Sequence, residues 1–81
     1  MNIKILGPGC FNCKRLAGLV YEVLEEMGTE ATIEKVTAYP EILKYDILGT
    51  PGLVVDGKVV CSGRVPRKVE IQAWLKAAKE S

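Results

Sequence analysis

Cys10 and Cys13 sit three residues apart at a junction between two patterns. Before them, Ile3 to Leu6 reads as a short apolar strand; after them, apolar residues recur with helical spacing from Leu16 onward. A thiol at the mouth of a helix meets unpaired backbone N–H groups and the positive end of the helix dipole, and both favour thiolate over thiol. A second thiol one helical turn on is close enough to join it in a disulfide. Strand, Cys-x-x-Cys, helix is therefore a layout suited to reversible two-electron redox chemistry, and also one in which two thiolates can hold a soft metal.

The rest of the composition narrows the choice. Eighty-one residues fit one domain, 1–81, with one core. Hydrophobic residues make up 48% and charged residues 26%, the balance of an ordinary globular chain. Eleven basic residues face ten acidic ones, with no basic stripe, so nucleic acid is not an expected partner. No apolar segment reaches the ~18 residues that crossing a membrane requires. The segment Met1 to Gly9 lacks the pattern of a secretory signal, and the expected compartment is the cytoplasm. Three cysteines cannot build a two-bridge framework, and in a reducing compartment a Cys-x-x-Cys pair points to catalysis or metal binding. Histidine is absent, which removes the commonest metal ligand and the usual general base.

The expected elements follow in order. Asn2 to Leu6 is a strand ending at Gly7-Pro8-Gly9. Leu16, Leu19, Val20, Val23, Leu24 and Met27 form one helical stripe that Gly28 stops. Ala31 and Ile33 alternate with polar residues in a second strand that ends near Val36. Tyr39-Pro40-Glu41 opens a short helix with Ile42, Leu43 and Ile47 facing inward. Thr50-Pro51-Gly52 precedes a buried strand, Leu53-Val54-Val55, and Asp56-Gly57 turns the chain into Lys58 to Ser62. A last helix carries Ile71, Trp74, Leu75 and Ala78 on one face. Strand-helix-strand-helix-strand-strand-helix predicts an α/β fold: two parallel crossovers and a hairpin, giving a mixed four-stranded sheet with helices on both faces.

This order resembles the thioredoxin-like fold, above all the small redox-active disulfide proteins of archaea and bacteria. The resemblance rests on Gly9-Cys10-x-x-Cys13, Gly49-Thr50-Pro51-Gly52, Val55-Asp56-Gly57 and Gly63-Arg64-Val65, and spans essentially the whole chain. It implies that Cys10 is the exposed nucleophile, that Cys13 is the resolving thiol, and that Pro51 is cis and faces the disulfide. A cis Pro51 would leave the Thr50 backbone free to pair with an extended substrate. Phe11 and Gly63 join Thr50 and Pro51 as candidate substrate-contacting residues. Three features depart from the family pattern. Phe11-Asn12 stands between the cysteines, Lys4 takes the place of a buried Asp six residues before the nucleophile, and Arg64 follows Gly63 where glutathione-specific relatives carry an acid.

Placement and charge assign the same roles as the resemblance. Cys10 lies at the helix start with Lys14 and Arg15 within reach, which favours its thiolate, while Cys13 lies one turn further in. The expected activity is dithiol–disulfide exchange on a protein or small-molecule disulfide, with no bound cofactor and no metal. Electrons would come from a flavin-dependent reductase of the thioredoxin-reductase kind. The alternative is a Cu(I)-type carrier using the same two thiols. Copper-transport domains, however, close on a strand, whereas this pattern closes on a helix. Cys61 is expected to pack as a small apolar residue.

Overall fold

The structure is a computed structural model that describes residues 1–9 and 11–80. The elements run β1 (Asn2–Leu6), α1 (Phe11–Met27), β2 (Thr32–Val36), α2 (Tyr39–Ile42), β3 (Gly52–Val55), β4 (Lys58–Ser62) and α3 (Lys68–Glu80). The strands form one sheet in the order β2-β1-β3-β4. Strand alternation in β1 sends Ile3 and Ile5 to one face and Lys4 and Leu6 to the other.

On the first face Ile3 and Ile5 pack with Leu16, Val20 and Val23 of α1 and with Ile71 and Leu75 of α3, all buried. On the second face Leu6, Ile42 and Val54 form a smaller cluster, with Tyr45 and Ile47 packed against it. The helical stripe thus faces the sheet as expected. It starts α1 a full turn earlier than Leu16, at Phe11. Gly28 stops it with φ of 61°.

The second crossover corrects an expectation. β1 and β2 are parallel, but β3 pairs antiparallel to β1, with Ile3 opposite Val55 and Leu6 opposite Gly52. α2 has only four residues, a rise of about 6 Å, whereas a five-residue strand spans about 17 Å. So short a helix cannot carry the chain back along the sheet, and β3 starts at the edge where β2 ends.

The same shortness explains Leu43, expected inside and found 77% exposed. Neighbouring helical residues point about 100° apart, and in one turn only Ile42 reaches the sheet.

Asp56 and Gly57 both hold positive φ, at 49° and 83°, the requirement of the tight hairpin turn their sequence announces. Asp56 also fastens β1, because its carboxylate accepts the Asn2 N–H at 2.8 Å. Val60 is the extra residue of a bulge: Leu53 pairs with Cys61 but Val54 pairs with Val59. α3 is tied to α1 by Lys68, which bonds Glu22 at 3.0 Å and also Glu26. Hydrogen bonds to Glu26 first, then Glu22, raise the Lys68 amine above its ordinary value.

Candidate functional site

Because β1 and β2 are parallel and β3 is antiparallel to them, one edge of the sheet collects three connections. These are the loop after β1, the loop after β2 and the loop leading into β3. The Gly7 N–H donates to the Val36 carbonyl at 2.9 Å and fixes the first two together. The first turn of α1 sits over the same edge. Cys13 lies in that turn and is 5% exposed, its sulfur packed against Gly7.

The loop into β3 carries a cis peptide between Thr50 and Pro51, the isomer that the resemblance implies. Pro51 is buried, and its carbonyl accepts the Gly63 N–H at 3.0 Å. Gly63 adopts φ of 79°, and its Cα would lie 3.6 Å from a side-chain carbon built on Gly49. Thr50, Pro51 and Gly63 therefore form one joined unit. A side chain on Gly7 would come within 3.7 Å of Thr50 Cβ, so Gly7 lies between that unit and Cys13.

A cleft of about 80 Å³ opens beside the sulfur, lined by Ile5, Gly7, Gly9, Cys13, Lys14, Lys35 and Thr37. Two lysines, a hydroxyl and no carboxylate among the described lining residues make the surroundings of Cys13 electropositive. Lys14 lines that cleft beside Cys13. Arg15, the next residue on α1, is exposed and does not line the cleft, because a step of one helical residue turns it away. Phe11 is 79% exposed at the start of α1. The expectation for Cys10 falls on a residue outside those described.

Gly7, Lys35 and Thr37 were not among the residues singled out from sequence. Gly7 and Lys35 carried a usable signal: alternation along β1 and β2 puts both on the α1 face with Ile5 and Ile33. Lys4 points the other way. Its amine lies 3.8 Å from Glu34 and 6.0 Å from the centre of the Tyr45 ring, and Tyr45 first, with Glu34, holds it above its ordinary value. It takes no part in the cleft. Arg64, where glutathione-specific relatives carry an acid, is committed to Glu70 through two hydrogen bonds of 3.1 and 2.7 Å.

Residues 1–76 match the family model described as the thioredoxin domain. The chain belongs to the thioredoxin family. Two curated relatives, both called thioredoxin, come from archaea. The protein of Methanothermobacter thermautotrophicus is 40% identical over 75 residues, covering 93% of this chain and 97% of the relative. That of Methanocaldococcus jannaschii is 37% identical over 78 residues, covering 96% and 90%. The mixed sheet with α1 and α3 on one face and α2 on the other is the thioredoxin-like fold, and membership makes the chain a thiol–disulfide oxidoreductase. Among the described residues no helix is long and apolar enough to cross a membrane.

Proposed function

We propose that Cys10 and Cys13 are the redox pair of this oxidoreductase, in a protein of one domain that works in the cytoplasm. Cys10 attacks a substrate disulfide as its thiolate and forms a mixed disulfide. Cys13 then attacks Cys10, closes the intramolecular disulfide and frees the reduced substrate. Thr50 and Pro51, with Gly63 behind them and Phe11 beside the helix start, form the surface on which an extended disulfide substrate rests. Lys14 and Arg15 contribute positive charge near the attacking thiolate. A flavin-dependent dithiol reductase returns the pair to the reduced state.

The observation that carries this reading is the packing of the Cys13 sulfur, shielded in the first turn of α1 between Gly7 and the electropositive cleft. A shielded thiol one turn behind a first cysteine is suited to resolve a mixed disulfide rather than to begin the attack. The test is a Cys13→Ser variant offered a disulfide-bonded protein substrate. The expected product is a stable mixed disulfide through Cys10, located by peptide mass. A variant that turns over like wild type, or that traps nothing when wild type turns over, contradicts the assignment.

A further inference from the structure

Glycine is needed in a chain for one of two reasons: a backbone conformation that other residues resist, or a space in which no side chain fits. Gly9, Gly28, Gly57 and Gly63 belong to the first kind, with positive φ and open space where a side chain would go. Gly7 belongs to the second. It is not among the positive-φ residues, and its backbone conformation would accept alanine. What it lacks is room. A Cβ there would overlap the Cys13 sulfur, lie 3.3 Å from Cys13 Cβ and come within 3.7 Å of Thr50 Cβ. The backbone cannot simply retreat, because the Gly7 N–H is bonded to Val36 at 2.9 Å at the end of a paired strand.

We propose that Gly7 is a positioning residue for disulfide exchange: its bare α-carbon forms the slot that fixes the Cys13 sulfur for the resolving step. The proposal rests on the roles assigned to Cys10 and Cys13 above. In the first step the Cys10 thiolate bonds to one sulfur of the substrate disulfide and expels the other half as a thiolate. In the second, Cys13 gives its proton to solvent and bonds to the Cys10 sulfur, and the remaining half leaves as a thiolate. The dithiol loses two electrons and the substrate gains them. Among the described residues, the sulfur that Gly7 meets is the one that acts in the second step. A methyl group there pushes that sulfur out of its slot and leaves the first attack alone.

The test separates the two steps. Reduced protein carrying Cys61→Ala is mixed with one equivalent of an aromatic disulfide whose thiolate product is coloured. Two coloured thiolates are expected from each dithiol, one from attack and one from resolution. Gly7→Ala leaves the first release within about twofold and slows the second by roughly tenfold or more, the scale of loss expected from a small misplacement of a reacting atom. The mixed disulfide then accumulates and is seen by intact mass.

An unchanged second release overturns the proposal. No release from the Gly7-containing protein overturns the redox reading itself and this one with it. A stability measurement covers a variant that folds poorly. Gly7→Ala lowers Tm when Cys13 is present and loses most of that effect in a Cys13→Ala background, where the sulfur is gone. Equal losses in both backgrounds would mean that the slot is not built around the sulfur, and the proposal would fall.

Discussion

Arg64 and Glu70 form a two-pronged ion pair, Nη1 and Nη2 donating to the two carboxylate oxygens at 3.1 and 2.7 Å. Glu70 also accepts the Arg67 backbone N–H at 3.0 Å, the half of a capping box that satisfies the residue just before α3. One carboxylate thus joins the turn at Gly63 to the start of α3. Arg64 first, and the Arg67 N–H next, hold the Glu70 carboxyl at about 2, below its ordinary 4.5.

A depressed carboxyl has a defined pH signature. Between about 4.5 and about 2 the folded state holds fewer protons than the unfolded one, so stability falls as pH falls through that window. The pair's contribution is full above it and gone below it. Glu70→Gln should therefore lower Tm by a few degrees at neutral pH, with the gap to wild type closing between about pH 4.5 and pH 2. Thermal unfolding followed by circular dichroism across that range checks it. A gap that does not change with pH would refute the pairing.

Burial divides the leucines sharply. Leu16 is 0% exposed beneath α1, while Leu48, two residues before Thr50, is 102% exposed. Leu16→Ala should cost about 2–5 kcal/mol, as large-to-small changes in a packed core do. Leu48→Ala should stay within about 0.5 kcal/mol. Urea denaturation of both variants measures the contrast.

Asp56 combines a left-handed conformation with a hydrogen bond to the start of β1. Most residues resist that conformation by roughly 1–2 kcal/mol, whereas Asn and Asp tolerate it. Asp56→Ala is expected to lose about 1 kcal/mol, and Asp56→Asn less, since Asn tolerates the conformation and its amide oxygen can still accept from Asn2. The denaturant midpoints of the two variants decide it; equal losses would count against the turn geometry.

Cys61 is 8% exposed within the core beneath α1 and α3, which matches its expected role as a small apolar residue. Its sulfur lies 3.9 Å from the Arg64 carbonyl, on β4 rather than in the cleft that holds Cys13. Cys61→Ala should leave turnover with a disulfide substrate unaltered and cost on the order of 1 kcal/mol. A variant that folds but no longer turns over would give Cys61 a part in the chemistry.

The strands, the two long helices and the hairpin were legible because each rests on a local rule. Helical spacing set α1 and α3, and Asp56-Gly57 set the turn. The direction of β3 was not legible, because it depends on how far α2 carries the chain, and a one-turn helix and a longer one start with the same Tyr39-Pro40-Glu41. Leu43 went astray for the same reason. At the site, motif and order named Thr50-Pro51, whose peptide the structure holds in cis. Gly7's place on the α1 face follows from strand alternation, but its need for glycine was not legible, because what demands it is a sulfur six residues away, and nothing in the spacing alone distinguishes want of space from want of freedom.

The claim on which everything turns is that Cys10 and Cys13 interconvert between dithiol and disulfide. The direct measurement equilibrates the protein in thiol–disulfide buffers across about −320 to −120 mV and counts alkylated thiols by mass. The account predicts a single two-electron transition in which two of the three thiols disappear together and Cys61 stays reduced. Three alkylated thiols at every potential would contradict it.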